Sequence, residues 1–216
     1  MTLACSLFNL LVTLSVIWGW TINREALFRP LPQAGVIAPM VALTVLLATL
    51  AMGGIALAQT AERGRLLRYA RWLSGAVIAI AVVALLEYLQ SGPGGLESLL
   101  YFDRIKAAAR PGLSAPGRLS PQTACALVLF GMALFAMSRP RGLKSRSGGW
   151  LAAFGLVVPG LALIGHFIKA PVFYTLAGLS SMGTGMPTAI LLLVLGIGTL
   201  ALADPQPHRP ANPAGP

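Results

Sequence analysis

Four side chains in this sequence have the chemistry for a site, and they fall in two places: Glu87 with Tyr88, and His166 with Lys169. Each pair lies near the outer end of an apolar run, at a similar depth in its helical hairpin. A carboxylate beside an imidazole can share a proton or hold a ligand, and ionisable groups inside a membrane span are costly enough to turn toward a bundle interior or a wet cavity. One arrangement is therefore a shallow polar pocket near the outer face. The other leaves all four groups in the headgroup region, solvated or snorkelling. Each residue lies within about two turns of its helix end, which favours the second arrangement. His166 alone could ligate a haem iron or a chlorophyll magnesium, but the sequence offers neither a second ligand nor a CxxCH site.

No catalytic constellation accompanies these residues. HExxH, GxSxG and P-loop motifs are missing, and Glu87 is the one acidic residue near a membrane core. Cys5 and Cys125 sit in apolar runs without a CxxC or Cys/His partner, so they read as buried small hydrophobes, not as a disulfide or a zinc pair. The expectation is no enzyme and no metal site, with the cofactor left open.

The elements that hold these residues are set by composition. Hydrophobic residues make up 56% of the 216, charged residues only 10%, and the mean hydropathy is +0.77. Soluble domains carry about a quarter charged residues, so this is an integral membrane protein. The net charge of +10 does not point to nucleic acid, because the 16 Lys and Arg lie between apolar runs, where orientation signals belong.

The chain is organised around Gly117-Arg118-Leu119-Ser120-Pro121-Gln122-Thr123-Ala124, which runs into the apolar stretch Cys125 to Met137. Pro is favoured in the first turn of a helix and the Ser before it can cap, so a helix starts here. Leu119 to Ser138 is uncharged and bracketed by Arg118 and Arg139, which makes it a membrane span. Setting Thr123-Ala124 on Thr188-Ala189 also aligns Leu127 with Leu192, Gly131 with Gly196 and Ala136 with Ala201, a shift of 65 residues. A looser copy begins at Ala38-Pro39, with Ala42 in place of Ala124.

The resulting fold is all-α: a six-span transmembrane bundle of three helical hairpins, occupying residues 1–204. The spans are the run Leu3 to Trp20, Val36 to Gln59, Trp72 to Leu89, the Ser120-Pro121 helix, Trp150 to Ile168 with a kink at Pro159-Gly160, and Met186 to Ala203. Leu96 to Ala109 suits an amphipathic surface helix, and residues 205–216 form a Pro-rich disordered tail. Trp18, Trp20, Trp72 and Trp150 read as interfacial anchors. Gly54, Ala58, Gly75, Ala79, Gly131, Gly196 and Gly198 read as helix-packing positions. Two connections are densely basic, one with Arg63, Arg65, Arg68 and Arg71, the other with Arg139, Arg141, Lys144 and Arg146. By the positive-inside rule these are cytoplasmic, and so are both termini.

Residues 117–124 with their helix, then Gly165-His166, Phe173-Tyr174 and Gly185-Met186-Pro187-Thr188-Ala189, resemble the multi-span membrane region that precedes PAS, histidine-kinase or diguanylate-cyclase modules in bacterial signalling proteins. Leu86-Glu87-Tyr88-Leu89 and Gly95-Leu96-Glu97-Ser98-Leu99-Leu100 resemble its third hairpin arm. The resemblance covers residues 10 to 205 and implies a sensory input region in a bacterial inner membrane, signalling through its last span. It departs in having no output module after Asp204-Pro205, which leaves action in trans on a membrane-protein partner. The alternative is an accessory subunit of a respiratory or photosynthetic complex, binding lipid, quinone or pigment. A small transporter fits less well, for want of intramembrane polar groups.

Reporter fusions after Arg65, Arg141 and Asp204 should report cytoplasm, and fusions near Glu97 and Leu176 the opposite side. The inverse pattern would reject this orientation.

Overall fold

Uncharged backbone enters hydrocarbon as helix because a helix satisfies its own N–H and C=O groups. The computed structural model describes residues 1–30, 35–61, 64–88, 95–108, 117–139, 145–175 and 183–203. The described residues form eight α-helices and two 3₁₀ turns. The helices are α1 (Thr2–Ile22), α2 (Glu25–Phe28), α3 (Pro39–Ala61), α4 (Gly64–Leu86), α5 (Phe102–Ala108), α6 (Pro121–Met137), α7 (Ser145–Phe167) and α8 (Met186–Ala203). α1, α3, α4, α7 and α8 are long and apolar enough to cross a bilayer, and α6 is an apolar helix of 17 residues. The chain is a multi-pass membrane protein.

The long helices are not equivalent. α3, α6 and α8 touch one another at the centre, and each remaining long helix leans on two of them: α1 on α3 and α8, α4 on α3 and α6, α7 on α6 and α8. Over their apolar windows α3 and α8 are 61% and 56% buried, against 22% for α1 and 28% for α4 and α7. The central three can approach because they meet through small side chains. Ala42, Ala124 and Ala189 are fully buried, and so, one turn on, are Val45, Leu127 and Leu192.

Two turns beyond the alanines, a Cβ on Gly131 would sit 2.8 Å from Ile78 Cγ1 of α4, and one on Gly196 would sit 2.5 Å from Leu156 Cδ2 of α7. Gly198 is equally occupied, by Met52 Sδ at 2.7 Å and Cys5 Cβ at 2.9 Å. Gly54 is in ordinary contact with Ala70 Cβ at 3.7 Å, and Ala58 is buried. Gly75 has nothing within 4 Å of its Cβ position and Ala79 is exposed, so that part of α4 faces outward.

Several local expectations change. Trp20 is not a belt anchor: it is buried, its ring stacked on Phe28 at 4.1 Å, and its indole N–H donates to the Ile37 carbonyl at 3.0 Å. α2 folds back under the end of α1 and covers it. Trp18, Trp72 and Trp150 are exposed. Arg65, Arg68 and Arg71 are not in a loop, because α4 begins at Gly64 and no breaker follows, so all three ride its first turns. The expected surface helix from Leu96 is broken into a 3₁₀ turn, Leu96–Leu99, and α5. Tyr101 between them takes a φ of 52° and meets Thr21 Oγ1 through its hydroxyl at 2.7 Å. Cys125 is exposed on α6 and Cys5 is half-buried, so neither is the buried hydrophobe expected. α7 runs through Pro159 as one helix. The Pro-rich tail and most of the second basic connection lie outside the described residues.

Replacing Gly196 by Leu should cost about 1–3 kcal/mol through overpacking against Leu156 and Phe130. The same change at Gly75 should be near neutral. Thermal unfolding in detergent of the two variants beside the parent checks both, and equal Tm values for the pair would contradict the packing.

Candidate functional site

The start of α6 is built as its sequence predicts, and the polar residues of one end of the bundle collect on it. Ser120 caps the helix, accepting from the Thr123 N–H at 3.2 Å, and Pro121 follows in the first turn. The cap does a second job. Ser120 Oγ donates to Thr123 Oγ1 at 2.8 Å, and both oxygens reach Thr184 Oγ1, at 2.9 and 3.2 Å. All three residues are buried, so three hydroxyls satisfy one another away from solvent.

Thr184 carries the chain of bonds onward. Its N–H donates to the Tyr174 carbonyl at 2.8 Å, and its own carbonyl lies 2.9 Å from His166 Nε2. A carbonyl only accepts, so Nε2 bears the hydrogen and Nδ1 is left as the second ring position. The imidazole is stacked on the Tyr174 ring, 4.1 Å between centroids and 9° between planes.

On the opposite flank the same segment holds the end of α4. Glu87 Oε1 accepts from the Leu96 N–H at 2.6 Å, and Oε2 lies 3.8 Å from Arg118 Nε, in a pair largely removed from solvent. Tyr88 donates to the Leu119 carbonyl at 2.6 Å, and the Arg118 guanidinium lies over its ring at 5.5 Å. Gly117 makes this turn possible. Its φ is 86°, which favours glycine, and a Cβ there would sit 2.7 Å from Ile105 Cγ2.

Glu87, Tyr88 and His166 are thus brought to one structure, the segment Arg118–Thr123, although among the described residues no hydrogen bond or ion pair joins Glu87 to His166. α4 and α7 each lie on α6, which separates them. Lys169 belongs to a different local structure. It takes the left-handed position that ends α7, φ 56°, with the Ala170 N–H closing onto the Gly165 carbonyl at 2.9 Å, and its side chain is exposed.

Two features escaped the sequence reading. Thr184 lies in a Gly- and Ser-rich stretch that reads as loop, and its role depends on two hydroxyls distant in sequence. Asn9 is fully buried where α1 meets α3 and α8, its Nδ2 donating to the Leu191 carbonyl at 3.3 Å and its Oδ1 without a partner. A single Asn inside an uncharged run was a visible signal. Ser6 and Thr49 add unpartnered hydroxyl oxygens on α1 and α3, whereas Thr13, Thr44 and Thr199 bond back to their own helices.

Among the described residues no three His, Cys, Asp or Glu side chains group as a metal site. Compared with family models, with curated proteins and with solved structures, the chain gives no match in any of the three.

Ser120→Ala removes a cap and breaks the hydroxyl triad, and should cost about 1–3 kcal/mol. Arg118→Gln should also destabilise by leaving the Glu87 carboxylate short of a partner, and the double variant Glu87→Gln/Arg118→Gln should be less harmful than the sum of its parts. A double-mutant cycle on unfolding in detergent measures the coupling, and additive effects would deny it.

Proposed function

We propose that the chain is a six-span, non-catalytic membrane module of the sensory-input kind found in bacterial signalling proteins, working by contact with a membrane partner. The observation that carries this reading is the polar seam on Arg118–Thr123. Several residues that give the resemblance, Glu87, Tyr88, Arg118, Ser120, Thr123 and His166, join the ends of α4 and α7 to the start of α6, the link to α7 passing through Thr184. A stimulus that alters one flank, by protonation, ligand binding or a change in the bilayer, shifts hydrogen bonds that three helix ends share. That is a means of moving helices without turnover.

α6 is counted as the sixth span. Its 17 residues rise about 26 Å, close to the hydrocarbon thickness, and it occupies a central place equivalent to those of α3 and α8. The three hairpins are α1 with α3, α4 with α6, and α7 with α8. The repeat is supported by the equivalent burial of Ala42, Ala124 and Ala189, and by each outer helix leaning on its own partner and on the inner helix of another hairpin. Both termini are placed in the cytoplasm of a bacterial inner membrane, on the strength of the basic residues at that end.

Of the small residues, Gly54, Ala58, Gly131, Gly196 and Gly198 serve internal contacts, which leaves the outward Gly75 and Ala79 of α4 for a partner helix. The accessory-subunit reading has its own support in a groove of about 420 Å³ between α1 and α2, lined mainly by Leu11, Val12, Val16, Leu27 and Ile37, which suits the apolar tail of a lipid or quinone.

Gly75→Leu should reduce co-purification of the partner in mild detergent by about tenfold while leaving Tm unchanged. Quinone or pigment extracted in stoichiometric amount, with no signalling protein recovered, would favour the accessory subunit. ATP hydrolysis, cyclic dinucleotide synthesis or solute transport by the purified chain, abolished by one polar substitution, would reject the contact-only reading.

A further inference from the structure

We propose that the end of the bundle opposite the polar seam holds a binding site for the phosphate of an anionic phospholipid, formed by Arg71 and Arg139 around Phe135. The two cations come from different elements, Arg71 from the second turn of α4 and Arg139 from just beyond α6. Their guanidinium carbons lie 6.0 and 5.4 Å from the centroid of the same ring. Two like charges are seldom gathered without something of opposite sign to share.

The protein supplies part of that something. Arg71 Nη2 donates to the Ser138 carbonyl at 3.4 Å, at the C-terminal end of α6. A helix C-terminus is worth about half an elementary charge, so two guanidiniums there leave a local excess of more than one positive charge. Arg71 also keeps a buried Nε–H without an acceptor. The described acidic residues, Glu25, Glu87, Glu97 and Asp103, all belong to connections at the other end. In sequence, this end carries Arg63, Arg65, Arg68, Arg71, Arg139, Arg141, Lys144 and Arg146 against Glu62 and Asp204. The balance is strongly positive.

Depth selects the ligand. Trp72, next to Arg71, and Trp150 on α7 are exposed at this end, as aromatic side chains are at the level where hydrocarbon gives way to headgroups. A guanidinium pair at that level faces lipid phosphates, and Arg binds phosphate through paired N–H groups. The ring of Phe135, 6.0 and 5.4 Å from the two guanidinium carbons, favours their staying together. The proposal rests on membrane insertion alone and is independent of the sensory reading.

The test is native mass spectrometry of the full chain in mild detergent, titrated with phosphatidylglycerol or with phosphatidylcholine. The parent should bind the anionic lipid about tenfold more tightly. Arg71→Gln/Arg139→Gln should lose that preference, whereas Arg65→Gln/Arg68→Gln, which removes the same charge from the first turns of α4 outside the pair, should keep it. Should the first variant fail to fold, Arg139→Gln alone lies at an exposed position past a helix end and should reduce the preference by itself. Millimolar inorganic phosphate should not displace the lipid, and displacement would assign the site to a free anion. Equal binding of the two lipids, equal loss in both double variants, or stronger binding of an acidic peptide through the same two arginines would overturn the proposal.

Discussion

A polypeptide that enters hydrocarbon must bring its hydrogen-bond partners with it, because lipid tails supply none. Helix interiors meet that demand automatically and helix ends do not, since each leaves several N–H or C=O groups unmatched. The architecture follows from where the ends are satisfied. At one end of the bundle the start of α6 uses Ser120 for its own first turn, then shares that oxygen with Thr123 and Thr184. At the other end Arg71 donates to the carbonyl of Ser138, the C-cap of α6. α6 is thereby held at both ends by side chains from its neighbours, and α4 and α7 lean on it.

Most of the architecture was legible in the sequence because the bilayer restricts the options so severely. Runs such as Leu119–Ser138 could be only helices, and Ser120-Pro121 marks a start that the structure reproduces within a residue. The alignment of Ala42, Ala124 and Ala189 picked out positions that prove fully buried, since small residues are what a crowded helix crossing requires. Helix ends were less legible. Arg65, Arg68 and Arg71 look like loop residues by charge, yet arginine is a good helix former and α4, starting at Gly64, runs through all three.

The site was legible as residues and not as an arrangement. Glu87, Tyr88 and His166 stand out by being polar in apolar surroundings, but what they meet is decided by the turn at Gly117 and by Thr184 in a stretch with no pattern of its own. Trp20 failed for a related reason. Its exposure depended on whether the four residues of α2 would fold back, and Phe28 carries no mark of the ring it will cover.

The contact of α1 with α8 has a consequence for the order of assembly. Asn9 donates to the carbonyl of Leu191, a bond spanning 182 positions. A ribosome at a typical elongation rate needs about ten seconds or more to bridge that interval. During it α1 waits in the bilayer with an amide side chain that has no mate. Among the described helices, α1 thus completes its side-chain bonding only once α8 is in place.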